Sequence, residues 1–140
     1  MYVMGYSDPN DHQIVEQILL KIGHLFQVQD DCLDYFGDPS KSGTDIEEAK
    51  CCWPVVRALE LCDDRQRLIL HSNIGIREEQ SVKQIRQIYD ELDIKKEFKE
   101  FEKQSLIDIK EDINSAVNIL KTPVKIFDTP LAQISQRIKI

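Results

Sequence analysis

The sequence predicts an all-α fold, with residues 1–140 forming a single helical domain. Apolar residues recur at helical spacing through most of the chain, and no useful stretch shows the period of two that marks a β-strand. A length of 140 residues suits one hydrophobic core. Hydrophobic residues make up 41% of the chain and charged residues 31%, which excludes collagen-like, disordered and disulfide-scaffold classes.

The first predicted element is the end of a helix that begins before the printed sequence, formed by the apolar residues 1–5. After turn-forming residues comes a long helix with Asp11 as its N-cap, in which apolar positions recur as far as Phe36. Glycine, proline, serine and aspartate then crowd residues 37–45, which predicts a loop.

The second half of the chain is predicted to consist of shorter helices. One covers 47–62, with a kink at Pro54 because proline lacks the N–H that a helix interior needs. Turn-forming positions around Gly75, Leu92 and Thr122 separate the others, which are predicted over 63–73, 77–92, 95–120 and 129–138.

The charge and cysteine content exclude several classes of function. The net charge is −7, and all of the acidic excess lies in residues 1–50, which carry three lysines against ten carboxylates. This excess argues against nucleic acid as a partner. No apolar run is long enough to span a membrane, and no signal peptide is visible, so we expect a cytoplasmic protein. The four cysteines show no zinc spacing and are expected to be reduced thiols.

Three carboxylates lie close together near the end of the long helix. At about 100° per residue, Gln27, Asp30, Asp31 and Asp34 fall within one sector roughly 100° wide. Carboxylates at this spacing repel one another unless a cation is present, and Mg²⁺ is typically held by one or two carboxylates plus phosphate oxygens. Lys41 and Lys50 follow closely and could meet those oxygens. A merely solvated acidic turn is the alternative.

The residues around these acids resemble a known family. The run FQVQDDCLDYFGDP at 26–39, followed by GTDI at 43–46 and KCCW at 50–53, closely resembles the second aspartate-rich region of farnesyl diphosphate synthases, members of the polyprenyl diphosphate synthase family. The similarity continues through YDELD at 89–93 and weakens beyond about residue 105.

The resemblance implies the isoprenoid (terpenoid) synthase helical fold and a prenyltransferase of isoprenoid biosynthesis. In such enzymes Mg²⁺, held by two aspartate-rich motifs, draws the diphosphate off an allylic substrate (dimethylallyl or geranyl diphosphate), and isopentenyl diphosphate attacks the carbocation. The family form is typically a homodimer. Carried over by position, the metal ligands and catalytic residues are Asp30, Asp31 and Asp34, and the substrate-binding residues are Gln27, Lys41, Asp45 and Lys50.

Two departures from the family bear on activity. Only residues 40–42 separate FGDP from GTDI, so Lys41 would replace a lysine that the family carries in a longer loop. The first aspartate-rich motif, which belongs to the preceding part of family members, is expected to be absent. We therefore expect the chain alone to lack coupling activity and to expose an apolar face at Ile14, Ile18, Leu25 and Leu33.

Two alternatives to a prenyltransferase stay open. One is a truncated, non-catalytic paralogue that acts as a helical interaction partner, and the other is a terpene synthase derived from the same fold. The acidic set favours diphosphate chemistry, whereas the short loop at 40–42 favours loss of function.

Overall fold

The computed structural model describes residue 1 and residues 5–36 and 44–136, and most of these residues are helical. They contain no β-strand, which confirms the all-α prediction for this part of the chain. The elements are α1 (Pro9–Phe36), α2 (Thr44–Glu47), α3 (Trp53–Leu61), α4 (Asp64–Asn73), α5 (Glu79–Glu91), α6 (Ile94–Ala116), a 3₁₀ helix (Val124–Phe127) and α7 (Asp128–Gln136).

Helix α1 begins three residues earlier than an N-cap at Asp11 predicts, and Asp11 is not its N-cap. The Asp8 carboxylate accepts the N–H of Asn10 at 3.0 Å, and Pro9 occupies the first helical position, where its missing N–H costs nothing. Asp11 instead lies in the first turn, 3% exposed, where its carboxylate accepts hydrogen bonds from Lys121 and Thr122.

The prediction of one helix over 47–62 with a kink was wrong. Helix α2 ends at Glu47, Ala49 adopts a left-handed conformation with φ 52°, and α3 starts only at Trp53. Pro54 therefore lies in the first turn of α3, where it favours helix initiation and kinks nothing. Proline occurs both at kinks within helices and in the first turn of helices, so the sequence pattern did not distinguish these two structures.

The tight packing of Gly75 against this turn has a steric cause. Gly75 has φ +81°, and a Cβ added there would lie 3.0 Å from the Cβ of Ala49. Its N–H donates to the carbonyl of Ile46 at 2.9 Å. Glycine alone combines this backbone conformation with so close an approach.

The described residues divide into two compact units, each with its own apolar cluster. Residues of 1–27 and 101–136 form the first unit and residues of 28–100 form the second. The buried cluster of the first unit consists of Val15, Ile18, Ile22, Leu25, Ile109, Ala116, Phe127 and Ile134. That of the second consists of Ile46, Cys52, Val55, Ala58, Leu70, Val82, Ile85, Ile88, Tyr89 and Ile94. The assignment of 1–140 to a single domain stays a prediction.

The predicted exposed apolar face of α1 was wrong at two of its four positions. Ile18 and Leu25 are 3% and 1% exposed because they belong to the core of the first unit, while Ile14 and Leu33 are half-buried. The large apolar side chains that α1 exposes are Leu19, Leu20 and Phe26. At about 100° per residue Leu20 lies opposite that core, whereas Leu19 and Phe26 lie at its edge.

None of the helices found in residues 5–36 and 44–136 is both long enough and apolar enough to cross a membrane.

Candidate functional site

The predicted acidic site lies in the last three turns of α1, but its carboxylates do not share one environment. Asp30 is exposed, its neighbour Asp31 is 9% exposed, and Asp34 is half-buried. A rotation of about 100° separates the directions of consecutive helical residues, so Asp30 and Asp31 point toward different surroundings. Gln27, one turn earlier on α1, has an exposed side chain.

The buried carboxylate of Asp31 contacts the beginning of another helix. Its Oδ2 accepts the backbone N–H of Trp53, the first residue of α3, at 2.9 Å. The residue before α3, Cys52, supplies no side-chain cap, and Pro54 has no N–H to donate. Asp31 thus caps α3 from a position 22 residues earlier in the chain.

Asp34 makes the equivalent contact with the short helix α2. Its Oδ1 accepts the hydroxyl of Thr44 at 2.9 Å, and its Oδ2 accepts the N–H of Asp45 at 3.3 Å. These bonds hold Thr44 and Asp45 beside the end of α1, and a negative charge at a helix N-terminus is a favourable placement.

Asp45 and Lys50 form an ion pair with each other. Lys50 Nζ lies 3.0 Å and 3.1 Å from the two carboxylate oxygens of Asp45, whose side chain is 11% exposed against 50% for Lys50. The hydrogen bond to Asp45, with a smaller contribution from the nearby charge of Asp31, raises the pKa of Lys50. The Lys50 cation therefore faces carboxylates. Lys41, the other predicted phosphate-binding lysine, lies outside the described residues.

Aromatic rings and a thiol lie beneath the acidic turn. The rings of Tyr35 and Tyr89 meet edge to face, 4.8 Å apart, and the Tyr89 hydroxyl is buried with no hydrogen-bond partner among the described residues. Burial raises the pKa of both tyrosines and raises that of the Cys52 thiol to about 11. Cys52 and Tyr89 belong to the buried apolar cluster of the second unit and Tyr35 packs against it, so little water reaches these groups.

The described residues contain no group of three or more His, Cys, Asp or Glu side chains that could hold a metal ion. The capping bonds explain this, because Asp31 and Asp34 are directed toward backbone N–H groups on α3 and α2. Exposed Asp30 together with phosphate oxygens is a donor set of the kind that Mg²⁺ prefers. The metal-binding role of the acidic set stays a prediction.

The family follows from comparison with known sequences. Residues 1–92, which include the whole acidic turn, match the family described as polyprenyl synthetase. The chain belongs to this family. The resemblance to farnesyl diphosphate synthases read from residues 26–53 is thereby confirmed.

Curated polyprenyl synthetases are similar along most of the chain. The farnesyl pyrophosphate synthase of Schizosaccharomyces pombe is 37% identical over 142 residues, covering 99% of this chain and 41% of the relative. Farnesyl pyrophosphate synthase 2 of Arabidopsis thaliana is 44% identical over 106 residues, covering 74% of this chain and 31% of the relative. The chain thus spans less than half the length of these polyprenyl synthetases.

The fold of this chain is similar to that of solved farnesyl diphosphate synthase structures. A T. brucei farnesyl diphosphate synthase complexed with bisphosphonate superposes with a TM-score of 0.83 at 27% identity, covering 91% of this chain and 36% of that chain. A second, complexed with risedronate, gives a TM-score of 0.80, also at 27% identity, and covers 37% of its own chain. The all-α isoprenoid synthase fold of the polyprenyl synthetases is thus confirmed.

Sequence analysis missed three contributors to this site. The Thr44 hydroxyl, the Trp53 backbone N–H and the buried Tyr89 all contact or underlie the acidic turn. Trp53 and Tyr89 lie in the runs KCCW and YDELD that resemble the family, but neither was given a role in the site, and a backbone donor carries no side-chain signal. The role of Thr44 could have been predicted from the sequence, because threonine at the start of a helix often makes capping hydrogen bonds.

Proposed function

We propose that this chain supplies the second aspartate-rich motif of a farnesyl diphosphate synthase-like prenyltransferase of isoprenoid biosynthesis. The substrates would be an allylic diphosphate, dimethylallyl or geranyl, and isopentenyl diphosphate. The observation that carries the proposal is the polyprenyl synthetase match over residues 1–92, with exposed Asp30 at the end of α1 inside it. The similarity to the two farnesyl pyrophosphate synthases named above, at 37% and 44% identity, supports it.

In this proposal Asp30 is the carboxylate that would hold Mg²⁺. When bound, the cation would supply Lewis-acid stabilisation of the charge that develops on a departing diphosphate. Asp31 and Asp34 keep α3 and α2 beside Asp30 through the bonds to Trp53 and Asp45. The half-exposed Lys50 ammonium group has a third N–H with which it would contact a phosphate oxygen while it stays paired with Asp45.

The proposal has further parts that rest on the sequence and the family. The longer form of the protein would be a homodimer, and its location would be the cytoplasm. It would not bind nucleic acid, because a net charge of −7 opposes binding to phosphates. We also propose that the chain by itself does not couple the two substrates. Removing catalytic groups that act together typically lowers the rate by orders of magnitude.

A second candidate function is that of a non-catalytic helical partner for another subunit. One observation favours it, namely that Asp31 and Asp34 both serve helix capping, which a chain without catalysis would also need.

Binding of magnesium and inorganic diphosphate to the purified chain, measured by calorimetry, tests the proposal. We expect Asp30→Asn to weaken binding by at least about tenfold, because the exposed carboxylate would contact the cation directly. Asp64→Asn is the matched control, since Asp64 is also exposed on a helix of the same unit. Equal binding by Asp30→Asn and the unmodified chain would favour the non-catalytic partner.

A coupling assay tests the catalytic part. The chain is incubated with dimethylallyl and isopentenyl diphosphates, alone and with the part of the S. pombe relative that it does not match. We expect farnesyl diphosphate only in the mixture, and only with Asp30 intact. Turnover by the chain alone would contradict the expectation of inactivity while supporting the prenyltransferase.

A further inference from the structure

Asp31 and Asp34 both accept hydrogen bonds at the beginnings of other helices. The partner of Asp31 is the more distant of the two in sequence, 22 residues later. We propose that Asp31 is a positioning residue, whose carboxylate caps α3 and so holds the segment that carries Lys50 against the end of α1. This is a different role from the metal ligand that its place in the aspartate-rich motif implies.

The first step of the argument is the need of α3 for a cap. The first turn of a helix leaves its N–H groups without partners inside the helix. In α3 the second residue is proline, and Cys52 at the N-cap position makes no side-chain bond to the turn. The Trp53 N–H therefore needs an external acceptor, and the Asp31 Oδ2 supplies it at 2.9 Å.

The second step is the chemistry of this acceptor. A carboxylate at a helix N-terminus gains from the helix dipole as well as from the hydrogen bond. Asp31 is only 9% exposed, so little water competes for the bond. A cation approaching from solvent meets the exposed carboxylate of Asp30 more readily than this buried one.

The third step connects the cap to Lys50. The Cys52 N–H donates to the Lys50 carbonyl at 2.9 Å, and the Lys50 N–H donates to the Asp45 carbonyl at 2.9 Å. Only two residues separate Lys50 from Trp53, whose N–H is capped. The charge of Asp31 also acts on the Lys50 ammonium group, whose main partner is Asp45. Loosening the cap should therefore release Lys50 from its place beside α1.

The part of this inference that concerns diphosphate binding rests on the proposed function. The capping of α3 by Asp31 does not depend on it. Asp31→Asn keeps a side-chain oxygen that can accept the Trp53 N–H, and Asp31→Ala removes it. The matched controls are Asp64→Asn and Asp64→Ala, because Asp64 is exposed in the first turn of α4. Trp53 is the only tryptophan, so its fluorescence and its long-wavelength near-ultraviolet circular dichroism bands report on the first residue of α3.

We expect Asp31→Ala to lower the Tm of the chain by about 3 to 6 °C, as loss of a helix cap does in a domain of this size. Its Trp53 dichroism should weaken and its emission should shift to longer wavelength. Asp31→Asn should restore both signals, and neither Asp64 variant should change the Trp53 signals. For Mn²⁺ with inorganic diphosphate, Asp31→Ala should bind about tenfold more weakly, and Asp31→Asn within about twofold of the unmodified chain.

Two results would overturn the inference. One is an Asp31→Ala variant with unchanged Tm and unchanged Trp53 signals. The other is an Asp31→Asn variant that keeps those signals but loses Mn²⁺ affinity as strongly as Asp30→Asn, which would make Asp31 a ligand. If the unmodified chain binds no Mn²⁺ and diphosphate, the proposed function fails for this chain, and Tm and the Trp53 signals still decide the cap.

Discussion

Replacing Asp11 by alanine should destabilise the first unit strongly, because one buried carboxylate oxygen serves three donors. Its Oδ2 accepts the N–H of Lys121 at 3.0 Å, and it accepts both the N–H and the hydroxyl of Thr122 at 3.1 Å. Asp11 is 3% exposed and Thr122 is 5% exposed. The contacts join the beginning of α1 to the turn before the 3₁₀ helix.

The magnitude follows from the donors that the substitution would leave behind. A buried donor without a partner costs roughly 1–3 kcal/mol, and bonds to charged groups are at the upper end of the usual range. The Thr122 hydroxyl can rotate, and the half-buried Lys121 N–H can recruit water, so the main loss is the Thr122 N–H. We expect the free energy of unfolding to fall by about 3 kcal/mol. With an unfolding entropy of about 0.3 kcal/mol/K for 140 residues, Tm should fall by about 10 °C.

Urea and thermal unfolding followed by circular dichroism at 222 nm measure this change. Asp64→Ala is the control, since Asp64 also lies in the first turn of a helix but is exposed. It should change the free energy of unfolding by less than about 0.5 kcal/mol. A loss of under 1 kcal/mol for Asp11→Ala, similar to the control, would refute the reasoning, because the oxygen would then be replaceable by water.

Two further predictions concern thiol reactivity and backbone strain. At pH 8 a thiol reagent should label exposed Cys51 quickly and buried Cys52 slowly, because burial raises the pKa of Cys52 to about 11. The folded state retains that proton longer than the unfolded chain does, so stability should fall as pH rises from 9 toward 11, and Cys52→Ala should lessen the fall. Gly75→Ala should cost about 1–3 kcal/mol, since φ is +81° and the new Cβ would meet Ala49 at 3.0 Å. Gly23→Ala, in open space within α1, should instead stabilise by about 0.5–1 kcal/mol, and equal effects of the two alanines on urea unfolding would contradict this reasoning.

Local patterns were sufficient for the fold class and for the position of the acidic turn. The spacing of apolar residues predicted the end of α1 at Phe36 correctly, because the apolar residues of a packed helix recur with a period of 3.6 residues. The helix boundaries were less well predicted, as Asp11 and Pro54 show. Each is compatible with two local structures, and the choice between them depends on what packs nearby.

The sequence by itself determined the all-α class, the run of acids at Asp30, Asp31 and Asp34, and membership of the polyprenyl synthetases. Tertiary structure alone decided how those acids divide their roles. Asp31 meets an N–H 22 residues later in the chain, and its neighbour Asp30 faces solvent. A helical wheel gives the direction of each side chain, but only the packing of α3 against α1 determines which carboxylate meets the N–H of Trp53.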